Sequence, residues 1–248
     1  MVFVGQVVGL PIMIVGLLLV DGELTAAAFA WGSIAGVTGA LGVVVFYRAM
    51  GDGPMSVVAP VTALLTGMVP VLAGLAFGER PSAIAWLGIG VALAAIALVT
   101  RTPGPAAVGA TSPMRATVVR AVAAGAMFGL AFVAFSRPGD AAGMWPLLGA
   151  RLSSLPVLAV LVVATGAGLA IPISVRRLVI AAGALDMVAN ILVLEAFTRG
   201  LLTLVSVITA LYPATTLVLA RFVLDERVRR EQMVGLALAA VAVVMVSL

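Results

Sequence analysis

The sequence predicts an all-α, polytopic membrane protein with nine transmembrane helices, and three observations carry that prediction. Hydrophobic residues make up 63% of the chain and charged residues 10%, with a mean hydropathy of +1.27; a soluble protein carries roughly 25% charged residues. The apolar residues fall into runs of about 20, the length that crosses a hydrocarbon core of about 30 Å. The third observation is an echo: VTALLTGMVPVLAGLAFGER, residues 61–80, returns as ITALYPATTLVLARFVLDER, residues 208–227.

Charge, Pro and Gly clusters divide the chain into nine runs. Residues 1–20 form the first and stop at Asp21; without a basic n-region, and with too long an apolar stretch, they are a span rather than a signal peptide. The second, 25–47, closes on Arg48, and the third, 54–77, lies between GDGP and GERP. The fourth, 83–100, ends at RTPGPAAVGATSPMRA, residues 101–116, whose Pro, Gly and Ser content marks a linker between two halves. Beyond it come 117–136, stopped by RPGD, then 143–168, then 178–197 after Arg176 and Arg177, then 201–223, and last 232–248 after a charged turn.

An offset of 147 residues lays 46–100 over 193–247 without a gap. It gives fifteen identities, against about six expected from this composition. Thr62/Thr209, Glu79/Glu226, Arg80/Arg227 and Gly88/Gly235 are among them. The offset carries the second run onto the seventh, five spans on, and an odd number turns the second copy upside down: an inverted repeat of the kind found in secondary transporters. GLPIMIVGLLLV, residues 9–20, then answers to SLPVLAVLVVATG, residues 154–166. The partner of run 117–136 would have to precede Met1. The expected organisation is therefore a first repeat over 1–100 with four helices, a linker over 101–116, and a second repeat over 117–248 with five. One helix is missing from the first copy through truncation or a natural four-plus-five design; in the truncation case the reading frame upstream of Met1 encodes about 20 apolar residues.

VVVFYRAMGDGPMSVVAPVTAL (43–64), LDMVANILVLEAF (185–197), and the GER and DER turns followed by a Gly-containing apolar helix resemble the EamA-type permeases of the drug/metabolite transporter superfamily. The resemblance spans essentially the whole chain. It implies two inverted five-helix repeats, ten helices in all, around a cavity that opens to either side in turn; this chain departs from it by lacking the first helix. The function implied is secondary transport of a small organic metabolite or drug across the cell (inner) membrane. Such a carrier needs no cofactor, works in the lipid bilayer, and leaves room for a coupling proton and for a homodimer.

Composition excludes several chemistries. There is no Cys and no His, which removes disulfides, thiolate sites and the commonest general base. All fourteen basic residues are arginine and the net charge is +4; they stand singly at the ends of apolar runs, which suits membrane anchoring and not nucleic acid. No GxxxxGK[ST] loop or cluster of metal-ligand residues appears, so neither ATP-driven transport by this chain alone nor an enzyme is expected. The rival class is a non-transporting scaffold or sensor subunit, or an inactive truncated permease. Arg48, Arg101, Arg115, Arg120, Arg176, Arg177, Arg227, Arg229 and Arg230 collect on one side, against Arg80, Arg137 and Arg199 on the other. The first side is therefore expected to be cytoplasmic, with the N-terminus inside.

Polar groups within spans are the candidate site, because each is costly in hydrocarbon. Asp186 and Asn190 share a face of the seventh run, with Glu195 nearer its end, and Arg151 and Ser153 lie on the sixth. Rise per residue puts Arg151 and Asp186 each about 12 Å from a span end, close enough in depth to pair. Pairing serves either as a structural staple or as a substrate or proton site. Pro60 and Pro70 in the third run and Pro213 in the eighth are expected helix breaks that line a cavity. Thr62, Thr209 and Tyr212 are the accompanying expected substrate contacts. Gly32, Gly36, Gly88 and Gly90 are assigned to close helix packing, and Trp31, Trp86 and Trp145 to the interface.

Overall fold

A computed structural model describes residues 2–100, 113–166, 171–223 and 228–248. Most of the expected linker, and Arg101, Glu226 and Arg227, fall outside the described residues. Those described form ten helices: α1 (Val2–Leu19), α2 (Ala26–Asp52), α3 (Met55–Ala76), α4 (Ala83–Val99), α5 (Met114–Phe135), α6 (Trp145–Thr165), α7 (Ile173–Arg199), α8 (Leu202–Ala210), α9 (Tyr212–Val223) and α10 (Arg230–Ser247). Among them eight stretches are long and apolar enough to cross a membrane, with α8 and α9 counting as one; α4, at 17 residues, is an apolar helix just short of that length. The nine apolar runs are thus nine helical segments.

The eighth run differs in detail. It is interrupted at Leu211, where the ladder tightens to Leu211 N–H to Ile208 O (3.1 Å) and Ala214 N–H to Leu211 O (2.8 Å). Pro213 explains it: proline has no amide hydrogen to return to Thr209, and its ring crowds the preceding turn. The expected breaks at Pro60 and Pro70 do not occur, since α3 runs through both. It packs closely on α5. Gly125 and Gly129 of α5 lie so close that a Cβ on either would come within 2.6 Å of α3 atoms, at Thr62 O and Leu65 Cβ and at Val69 Cβ respectively.

The helices assemble as two compact units whose boundary falls inside α2 and α5. Residues 1–41 and 134–199 make the first unit, with α1, most of α2, α6 and α7. Its core is Met13, Met144, Leu147, Met187 and Leu194. The second unit, residues 42–133 and 200–248, contains α3, α4, α8, α9, α10 and the remainder of α2 and α5. Here Ala63, Ile89, Ala92, Ala95, Ile96, Val207, Ala210 and Ala242 close the main core. Each unit therefore mixes helices from both halves of the sequence.

Close backbone approaches recur between the aligned copies, at 147 residues in the second unit and at 147 and 145 in the first. In the second unit a Cβ on Gly88 would meet Val246 Cγ2 at 2.8 Å and Met245 Cβ at 3.0 Å, and one on Gly235 would meet Val99 Cγ2 at 2.8 Å and Leu98 Cβ at 3.0 Å. Moved by 147 residues, the first contact becomes the second. In the first unit a Cβ on Gly36 would lie 2.2 Å from Ala150 O, and one on Gly183 would lie 2.5 Å from Gly5 O. Gly36 maps to Gly183, and aligning Pro11 with Pro156 maps Gly5 to Ala150. Helices approach this closely only where the side chain is a hydrogen. Gly90, by contrast, has open space around it and takes no part in packing.

Glu79 ties the α3–α4 turn to α8. Its carboxylate accepts from the amides of Leu202 (2.7 Å) and Thr203 (2.9 Å), the first two residues of α8. Those amides have no partner inside their own helix, and a carboxylate there also meets the positive end of the helix dipole.

Substitution by Val at Gly36 or Gly183 drives a branched three-carbon side chain into a neighbouring backbone, and overpacking of this kind costs about 1–3 kcal/mol. Both variants are expected to show a lower Tm in detergent and less monodisperse protein, while Gly90→Ala keeps the parental Tm; thermal unfolding with size-exclusion chromatography checks all three.

Candidate functional site

α6 turns one polar stripe toward its neighbours in the first unit. Trp145 and Pro146 start the helix, and Trp145 Nε1 donates to Gly22 O at 3.1 Å, fixing its entry beside the α1–α2 turn. Arg151 and Ser154, three apart, then share a face. Arg151 is 6% exposed, and its Nη2 donates to Asp186 Oδ2 of α7 at 2.9 Å. Ser154 is also buried and donates to Oε1 of Gln6, on α1, at 2.8 Å. Four polar side chains from three helices thus meet inside one unit.

Asp186 is the open member of the pair, its side chain 54% exposed. Asn190, one turn on, donates from Nδ2 to the Asp186 backbone oxygen at 2.7 Å, leaving its own side-chain oxygen for another donor. Glu195 belongs elsewhere: it pairs with Arg199 four residues along, Nη2 to Oε1 at 2.5 Å, near the end of α7. A third ion pair, Arg120 with Asp52, joins α5 to α2 in the other unit. Among the described residues no group of three acidic, His or Cys side chains is arranged to hold a metal.

The other expected contacts divide by environment. Thr62 is fully enclosed and its hydroxyl donates to Ala121 O of α5 at 3.2 Å, so it joins helices and presents nothing to a ligand. Thr209 donates back to Val205 O at 2.7 Å, the self-satisfying bond open to any intrahelical threonine. Ser153 spends its hydroxyl on Ser33 O (3.0 Å) and Ala150 O (3.1 Å), where α2 crosses α6. Tyr212 is exposed at the start of α9. Thr62, Thr209 and Tyr212 are all in the second unit, whereas Arg151, Asp186 and Asn190 are in the first. Gln6 was the residue that sequence reasoning passed over. Its signal was plain in retrospect, since it is the one amide side chain within an otherwise apolar first span.

The family model of EamA-like transporters matches residues 115–248, more than half of the chain. The chain belongs to the EamA-like transporter family. It is a multi-pass membrane protein of the drug/metabolite transporter type. No curated protein matches it. A solved crystal structure aligns with this EamA-like chain at a TM-score of 0.74 and 17% identity, over 98% of this chain and 83% of that one. At that identity the likeness establishes the fold alone.

Removing either member of the Arg151–Asp186 pair leaves the other without its countercharge. A lone charge at the centre of a span costs at least about 2.5–3.5 kcal/mol on insertion scales. Arg151→Ala is therefore expected to lower the yield of folded protein several-fold, and Arg151→Ala combined with Asp186→Ala to restore it, as read by detergent-solubilised yield in a double-mutant comparison. Equal yields for the single variants and the parent would contradict the pairing energy.

Proposed function

We propose that the protein is a secondary transporter that moves a small organic metabolite or drug by alternating access. The observation that carries this reading is the Arg151–Asp186 pair: a permease-family chain keeps a buried arginine and a half-exposed carboxylate within its spans, with Gln6, Ser154 and Asn190 around them. Ionisable groups at such depth are retained for a pathway or are structural staples. Asp186's exposure supports the first, because a purely structural pair gains most when both charges are enclosed and fully hydrogen-bonded.

The sequence repeat supports the alternating mechanism. In this reading residues 1–100 and 117–248 are two copies of one fold, inverted with respect to each other, and such repeats exchange between two equivalent arrangements around a midplane site. The glycine contacts that recur at aligned positions within each unit are what two copies of one packing solution produce. Asn190, one turn from Asp186, is the proposed further substrate contact, and the inner membrane of the cell is the proposed location.

Purified protein in liposomes preloaded with unlabelled compound, then exposed to the radiolabelled form, tests the reading across a panel of anionic, cationic and zwitterionic metabolites. Saturable counterflow of at least one compound is expected, and its loss in the folded Arg151→Ala/Asp186→Ala variant. Parental flux in that double variant would make the pair a staple. Absence of counterflow across the whole panel would favour a scaffold or sensor subunit.

A further inference from the structure

Charge is scarce around Arg151. α1, residues 26–41 of α2, and α6 together carry one charged side chain, Arg151 itself. The remaining charges of α7, at Arg176, Arg177, Glu195 and Arg199, are nine or more residues from Asp186, a separation of about 13 Å or more along the helix. Glu195 and Arg199 already neutralise each other. Along α6 and α7, then, no third charge lies within two turns of the pair.

The pair is also lopsided. Arg151 is enclosed and requires a negative charge beside it at every stage, but only its Nη2 is engaged; among the described residues Nε and Nη1 bond to no protein acceptor. One turn along the same face, Gln6 takes the Ser154 proton on Oε1, which leaves its amide nitrogen as a donor. Arg151 thus keeps donors in reserve, Gln6 offers another beside Ser154 one turn along α6, and the one acceptor that occupies the arginine is half-exposed.

We propose that this cluster is an anion-and-proton site. The carboxylate or sulfonate of a small organic anion takes Asp186's place on the Arg151 guanidinium, which it can meet with two parallel N–H bonds, and the Gln6 amide donates beside it. Asp186, released from the arginine, takes up one proton. The balance closes: an anion and a proton enter, Arg151 keeps one negative partner, and the loaded site has the same net charge as the empty one. The inference rests on the transporter reading and narrows it to a monovalent organic anion moved together with a proton.

Binding to the purified full chain tests the site directly. The probes are lactate and benzenesulfonate as monoanions, alanine as a zwitterion and tetraphenylphosphonium as a cation, each followed by thermal shift at mildly acidic and mildly basic pH. The parent is expected to bind a monoanion more tightly at acidic pH. Asp186→Asn, which imitates the protonated carboxyl, is expected to bind it about tenfold more tightly than the parent at basic pH, with the pH dependence gone, because the competing carboxylate no longer holds the arginine. Arg151→Gln is expected to bind no anion; should that variant fail to fold, Arg151→Lys is expected to bind several-fold more weakly than the parent, since lysine lacks the forked donor pair. Loss of anion binding in a folded Asp186→Asn, pH-independent anion binding by the parent, saturable binding of alanine or the cation alone, or no saturable shift with either monoanion would each overturn the proposal.

Liposome counterflow separates this failure from failure of the transporter reading. Flux of the cation or of alanine without flux of an anion leaves a transporter and removes the anion site. The predicted binding pattern with no flux leaves the anion site and removes the transporter.

Discussion

In hydrocarbon a backbone amide, hydroxyl or charge without a protein partner has no water to turn to, and this one constraint shapes most of the molecule, the buried hydroxyls of Thr117 and Thr203 being exceptions. It makes every spanning element a helix. It explains why Glu79 reaches across to the first two amides of α8, and why the hydroxyls of Thr62, Thr66, Thr209 and Ser206 are bonded to backbone oxygens. A carboxylate and a guanidinium at mid-span answer to the same rule, so Arg151 and Asp186 come as a pair.

Water also gives no reason for apolar helices to associate there, because lipid tails are as apolar as leucine, and helices are held by closeness of packing. Gly36 against Ala150, Gly183 against Gly5, Gly88 against Val246 and Gly235 against Val99 meet that demand in two matched pairs. Duplication offers a simple origin. A contact that works between two copies of one helix pair works twice when the copies exchange partners.

Much of this was legible in the sequence. Nine apolar runs became nine helical segments because length and hydropathy decide spanning elements almost alone, and the Arg151–Asp186 pairing followed from helical rise and the cost of solitary charge. The prolines were read less well. Periodicity and composition cannot say how closely a neighbour will pack on a proline-containing helix; α3, against Gly125 and Gly129 of α5, runs through Pro60 and Pro70, while Pro213 interrupts its run. Thr62 was misjudged for a related reason: a hydroxyl on a span is equally suited to a ligand or to the carbonyl of an adjacent helix, and only packing against Ala121 reveals which. Gln6 was overlooked because an amide carries no charge to draw attention, although its partner Ser154 places it beside Arg151.

Whether the exposed side of the pair meets water or lipid decides the account, and the natural absence of cysteine makes it directly measurable. Asn190→Cys retains the ion pair and puts a thiol one turn from Asp186; Leu192→Cys puts one on an exposed apolar position of the same helix. In intact membranes, a charged, membrane-impermeant thiol reagent is predicted to modify Asn190→Cys and to spare Leu192→Cys, which reacts only with an apolar maleimide. Labelling of Leu192→Cys by the charged reagent while Asn190→Cys stays inert would place the pair against lipid and contradict a transport site there.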